Sequence, residues 1–206
     1  MKKTEIRKQI AEQKHALGFQ GLELLSAAVV EKFQGFGKKM GGGSLLRQGY
    51  GGQAASFQTL ELFKNAKTVG AYMPLPDEVN ITPLFNLAGK QFYIPTFDEA
   101  SGGYRLAEYG EKLKKGKFGI LEPANPAFAP EELDLILVPG VAFDGAGHRI
   151  GRGGGFYDRL LSQYDAVKVG VCFEFQCLEG IPSEPHDNNV DLLVTESQIL
   201  KCVMNC

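Results

Sequence analysis

The chain has 206 residues, 22 basic and 24 acidic side chains, and a formal net charge of -2. Hydrophobic residues at 44% and charged residues at 22% describe a globular protein, which excludes whole-chain disorder, collagen and coiled coil. The length suits one domain with a real core, and the near-neutral charge argues against a dedicated nucleic-acid binder, which needs clustered Lys and Arg.

In chain order, residues 4–17 are expected to be helical, with Thr4 a candidate N-cap and Ile6, Ile10 and Leu17 on one face. Residues 22–33 repeat the pattern with Leu22, Leu25, Val29 and Phe33. From 35 to 57 the apolar period stops, with eight glycines and no acidic residue. Such a segment loses much entropy on ordering and buries little, so it reads as a flexible loop or a non-native insertion. A phosphate-binding glycine loop is the other reading, but there is no GxxxxGK(S/T) and no flanking strand.

Beyond the insertion, strands are expected at Thr68–Tyr72, Gln91–Ile94, Leu133–Val138, Val167–Cys172 and Val190–Thr195. Helices are expected at Thr82–Ala88, introduced by Thr82-Pro83, and at Phe156–Tyr164. Strands that are apolar throughout and alternate with helices indicate a parallel sheet covered on both sides, so the fold class is α/β.

No stretch reaches the ~20 apolar residues of a membrane helix, and the N-terminus has no apolar core of ~7–15 residues as a signal peptide has. A cytoplasmic protein with no membrane and no nucleic-acid partner is expected. The four cysteines lack CxxC spacing and the three histidines (His15, His148, His186) are scattered, so reduced thiols are expected rather than a zinc site.

The informative window is Leu137 to Leu161, LVPGVAFDGAGHRIGRGGGFYDRLL, which reads as buried strand, turn, glycine-rich loop and helix. Gly151, Gly153, Gly154 and Gly155 let backbone N–H groups approach an anion, and the following helix adds its positive end. Arg149 and Arg152 supply charge, with Arg152 placed to fork onto phosphate oxygens. GRGGG fits neither GxGxxG nor a Walker loop, so a mobile surface loop stays the alternative. Asp158, in the first turn of the helix, reads as a dipole-compensating residue or as a magnesium ligand beside phosphates. Lys3 and Arg7 are like charges four residues apart, which repel by ~0.2–0.5 kcal/mol unless they share an anion. Asp77 and Glu78 follow a strand; they read as a polar turn or as carboxylates that hold a heterocycle.

These residues resemble the 5-formyltetrahydrofolate cyclo-ligase (methenyltetrahydrofolate synthetase) family. The resemblance is carried by KTEIR at 3–7, YMPLPDEV at 72–79, GILEP at 119–123, the segment 138–158 and Pro185-His186-Asp187. It covers nearly the whole chain except residues 35–57. It implies a single domain over 1–206, interrupted there, with an open, Rossmann-like three-layer sandwich akin to sugar-phosphate isomerase and CoA-transferase folds. The implied reaction converts 5-formyltetrahydrofolate and ATP, with Mg²⁺, into 5,10-methenyltetrahydrofolate, ADP and phosphate through a phosphorylated formyl intermediate.

By the same resemblance, ATP is met by Lys3, Thr4, Glu5, Ile6, Arg7 and by Arg149, Ile150, Gly151, Arg152, Gly153, Gly154, Gly155, Phe156 and Tyr157. The folate substrate is met by Arg7, Met73, Glu78 and the loop residues Arg152 to Phe156. Lys3, Arg7 and Arg152 carry the catalysis, and Asp158 and Asp187 hold the metal. Two departures from the family pattern are Gly154, where many members have Lys or Arg, and Phe156, where tyrosine is frequent. The rival readings are a phosphosugar or CoA-ester enzyme on a similar fold, and a folate or nucleotide carrier without turnover. A monomer is expected.

Overall fold

The computed structural model describes residues 1–34, 53–54, 57–116, 119–184 and 187–203. Helix α1 runs over Lys3–Gln34 and is broken at Gly18, whose φ of 66° and ψ of 174° leave the helical region. The two helices expected from the sequence are therefore the two arms of this run. Thr4 lies inside the helix and is not its cap; the Lys2 amide instead donates to the Glu5 carboxylate at 2.8 Å. Most of the 35–57 window lies outside the described residues. Within it, Gln53–Ala54 form strand β1, and α2 begins at Phe57 and ends at Asn65.

The strands that follow are β2 (Thr68–Gly70), β3 (Gln91–Asp98), β4 (Gly103–Glu108), β5 (Leu113–Lys115), β6 (Leu121–Pro123) and β7 (Glu132–Pro139). After them come β8 (Ala142–Asp144), β9 (Arg149–Ile150), helix α3 (Phe156–Leu161), β10 (Asp165–Val171), β11 (Cys177–Leu178), β12 (Leu192–Val194) and β13 (Ile199–Lys201). Eight strands form one sheet in the order β1-β13-β12-β10-β7-β2-β3-β4. Its centre, β12-β10-β7-β2-β3, is parallel throughout. Antiparallel strands close both sides, β4 on one and β13 with β1 on the other.

The apolar runs are explained by burial on both faces. Along β7, Leu135 and Leu137 face one apolar cluster while Ile136 and Val138 face the other. The first cluster takes Leu22, Val29, Val30 and Phe33 of α1 with Phe63 of α2, and the second takes Leu160 and Leu161 of α3. Helix, sheet and helix make the three layers of the α/β class. Thr82–Asn86 forms a short 3₁₀ turn with proline at its start, shorter than the helix expected there. Helix α3 ends at Leu161 rather than at Tyr164.

The β8–β9 hairpin, absent from the sequence reading, sits in a separate three-stranded sheet with β11. A third apolar cluster of Ile6, Ile10, Ala142, Ile150 and Ile181 pins the first arm of α1 to that hairpin. Cys172, Cys177 and Cys202 are free thiols in this structure, and Cys206 lies outside the described residues.

Close packing between the layers sets a test. A Cβ added at Gly170 would stand 2.6 Å from Leu193 Cδ2 and 2.8 Å from the Phe143 ring, both of them fully buried side chains. Gly170→Ala is expected to cost about 1–3 kcal/mol of overpacking, read as a lower urea midpoint with an unchanged slope.

Candidate active site

The order of the parallel strands reverses between β2 and β7: the chain runs from β2 out to β3, then returns to β7 and continues through β10 to β12. Ligand sites in open α/β sheets lie at such a switch point, outside the carboxyl ends of the strands. A cavity of about 550 Å³ lies at that place. Met73, Leu75 and Glu78 line it from the turn after β2, and Pro139, Gly140 and Val141 from the end of β7.

The glycine loop is carried to this cavity by the hairpin, not directly by the sheet. β9 pairs back onto β8 with Phe143 opposite Arg149, and residues 151–155 then lead into α3. Gly155 caps α3 in the left-handed region at φ 60°, where a side chain is strained. Arginines on both sides hold the loop by its carbonyls. Arg7 donates through Nε to Gly151 O at 2.8 Å, and Arg159 donates through Nη2 to Gly154 O at 2.9 Å.

Lys3, Arg7, Met73, Glu78, Arg149, Asp158, Asp187 and all of 150–157 line this one cavity. The five-residue stretch at the N-terminus divides by helical phase. Lys3 and Arg7, one turn apart, face the cavity. Thr4 and Glu5 are exposed and Ile6 is 1% exposed in the core, and none of these three lines the cavity.

Each cation of the cavity has an anionic or carbonyl partner. Lys3 Nζ donates to Asp187 Oδ2 at 2.9 Å and to Glu184 Oε1 at 3.1 Å; the Asp187 bond leads in raising its pKa, against some desolvation. Arg149, with a side chain only 3% exposed, donates to Asp158 Oδ1 at 2.7 Å. Its Nε is buried with no hydrogen-bond partner among the described residues. The Tyr157 ring centroid lies 5.7 Å from the Arg149 guanidinium, and burial pushes the Tyr157 hydroxyl far up, so it stays protonated.

Arg152 is half-exposed and crosses to the turn after β2, where Nη2 meets Asp77 Oδ1 at 2.6 Å and Nε lies 3.4 Å from Glu78 Oε1. The Asp77 and Glu78 carboxylates thus converge with the glycine loop.

Asp158 and Asp187 supply hard oxygen donors on the same cavity wall. Among the described residues, no cluster of three or more His, Cys, Asp or Glu side chains can hold a metal by itself. This donor set fits magnesium in the mode that adds phosphate oxygens to one or two carboxylates. His186 of the Pro-His-Asp motif lies outside the described residues.

Sequence reasoning missed the far wall. Glu122 is 4% exposed, lines the cavity beside Tyr104, and accepts from the Phe97 amide at 3.1 Å and Thr96 Oγ1 at 3.2 Å. Its only signal was its place in GILEP. Glu184 as a second partner of Lys3, and Lys14 as a partner of Asp77, had no signal at all.

Asp77 gives a pH test. Burial opposes its ionisation, but Lys14 and Arg152 together outweigh that and hold its pKa below the ordinary 3.8. Its ionised form therefore adds stability that is present above pH 3.8 and lost as pH falls through the lower folded value. Asp77→Asn is expected to be less stable than the parent at pH 7, with the gap narrowing toward pH ~3, measured by urea unfolding across that range.

Comparison with known proteins bears on the chain as a whole. The profile of the 5-formyltetrahydrofolate cyclo-ligase family matches residues 46–196, starting inside the glycine-rich window. The chain is 34% identical over 169 residues to a probable 5-formyltetrahydrofolate cyclo-ligase of Schizosaccharomyces pombe, covering 70% of this chain and 83% of that one. It is 32% identical to the 5-formyltetrahydrofolate cyclo-ligase of Escherichia coli K12, over 74% of this chain and 91% of the other. The Aquifex aeolicus 5,10-methenyltetrahydrofolate synthetase structure superposes with a TM-score of 0.77 at 33% identity, covering 98% of this chain and 93% of that one. A Mycoplasma pneumoniae 5,10-methenyltetrahydrofolate synthetase, 20% identical with a TM-score of 0.62, shares the fold. By profile, sequence and fold together, the chain belongs to the 5-formyltetrahydrofolate cyclo-ligase family.

Proposed function

We propose that this cyclo-ligase binds ATP, Mg²⁺ and 5-formyltetrahydrofolate in the cavity at the β2/β7 switch point and closes the folate ring by phosphoryl activation. The observation that carries this reading is the convergence of Lys3, Arg7, Arg149 and Arg152 with Asp158, Asp187, Met73 and Glu78 on one cavity. Its volume of about 550 Å³ is in the range of small-molecule sites.

A formamide oxygen is a poor leaving group, so ring closure requires its activation. The formyl oxygen attacks the γ-phosphate of ATP, and ADP leaves. The 10-nitrogen then adds to the activated formyl carbon and gives up its proton, which leaves with the phosphate. Loss of phosphate gives the conjugated methenyl cation. Catalysis of phosphoryl transfer is mostly positioning and charge neutralisation. Lys3, Arg7 and Arg152 supply positive charge around the phosphates, and Arg149, which lines the same cavity, adds a further cation. Met73 and Glu78 hold the pterin, with the Glu78 carboxylate accepting from ring N–H groups. Magnesium, held by Asp158 and Asp187, would neutralise phosphate charge. No nucleophilic Ser or Cys is required.

The decisive assay follows the near-ultraviolet band of the methenyl product with 5-formyltetrahydrofolate and Mg-ATP, and with ATP omitted or magnesium chelated. Growth of the band only in the complete mixture is expected. A flat trace from folded protein that still binds the folate would favour a carrier. Arg152→Ala is expected to lower kcat at least about a hundredfold while moving the urea midpoint little, because its side chain is 49% exposed. Unchanged turnover at saturating ATP would remove Arg152 from the mechanism.

A further inference from the structure

Two charged groups beside the site have no part in the reaction just described. Lys14, on the first arm of α1, is 6% exposed, a position that lysine seldom occupies unpaired. Its Nζ donates to Asp77 Oδ2 at 3.2 Å, and the other oxygen of Asp77 receives Arg152 Nη2 at 2.6 Å. Arg152 also faces Glu78 Oε1, but from 3.4 Å with both Nε and Nη2, near the limit of a hydrogen bond. The second oxygen of Glu78 is already committed to the Leu75 amide at 3.0 Å.

The arginine is therefore shared unequally between adjacent carboxylates. Asp77 holds the short, charge-assisted bond and Glu78 the long one. Were Asp77 neutral, Glu78 would be the remaining anion within reach of Arg152, and a forked guanidinium would fill the lone pairs of Oε1.

We propose that Asp77, whose charge the buried Lys14 balances, is a positioning residue that draws Arg152 off Glu78 and so leaves Glu78 Oε1 able to accept from the substrate's heterocycle. This rests on the reading that Glu78 holds the folate. Asp77 itself touches no ligand in it. Lys14 and Asp77 balance each other's charge, and the aspartate spares the lysine an unpaired buried charge.

The test compares the parent with Lys14→Met, Asp77→Asn and the double variant. The double variant removes the buried charge together with its partner, so folding is preserved where Asp77→Asn alone leaves Lys14 stranded. In the double variant the KM for 5-formyltetrahydrofolate is expected to rise about tenfold, the loss of one charged hydrogen bond. Its kcat at saturating folate is expected to change less than about threefold, because bound substrate displaces Arg152 from Glu78. Lys14→Met alone, which leaves Asp77 on Arg152, raises KM less than about threefold. A parental KM in the double variant would overturn the proposal, as would a Lys14→Met effect equal to that of the double. Titration of 5-formyltetrahydrofolate binding without ATP separates the two readings. A parent that binds but does not turn over overturns the activity and leaves Asp77 to be judged by affinity, whereas a parent that does not bind overturns both.

Discussion

A single hydrogen bond, from Arg7 Nε to the Gly151 carbonyl, joins residues 144 positions apart and sets the site on its scaffold. On its own it is worth about 1.5–3 kcal/mol, as a bond from a charged donor. It is directed by the apolar contact one residue away, where Ile6 and Ile10 pack on Ala142, Ile150 and Ile181. The helix is held by its buried face, and Lys3 and Arg7 are delivered to the cavity as a consequence of the 3.6-residue turn. Without that docking the glycine loop would lose its support on one side, and two cations would be absent from the cavity.

Electrostatic balance follows from the same geometry. Lys3 lies on Asp187 and Glu184, Arg149 on Asp158, and Arg152 on Asp77 and Glu78. The pairs Lys3–Asp187, Arg149–Asp158 and Arg152–Glu78 each combine a group proposed to meet phosphate with one proposed to meet metal or substrate. Positive charge is thus gathered around the cavity with partners that offset its mutual repulsion before any anion arrives. Phosphate and metal would exchange for these partners rather than enter an uncompensated field, which keeps preorganisation compatible with stability.

The sheet supplies the place and the loops the chemistry. Because β2 and β7 are neighbours whose crossovers lead in opposite directions, a crevice opens beyond their carboxyl ends. The turn after β2 and the hairpin after β7 meet across it. Glu122 and Tyr104 complete the far wall.

Local pattern made several of these features legible. Alternating apolar strands and helices specified the α/β class, and the break between the first two helical patterns corresponds to Gly18. The run around GRGGG marked the loop proposed to face an anion, because glycine spacing and arginine placement are properties of neighbouring residues. Charge spacing singled out Lys3, Arg7 and Glu78, and the resemblance added Met73 and Asp187; all five line the cavity, whereas Thr4, Glu5 and Ile6, also added by the resemblance, do not. The β8–β9 hairpin was missed because its strands are only two or three residues long, below any periodic signal. The partners of the charged groups were missed for a different reason: Lys14 and Asp77 are 63 residues apart, and Lys3 and Asp187 are 184 apart. Sequence alone determined the five strands of the parallel centre, the two arms of α1 and helix α3, and singled out the loop proposed to cradle an anion, since these depend on short-range spacing. Only the tertiary structure decided the strand order, the cavity and the pairing of its charges, because each depends on which distant surfaces are buried together.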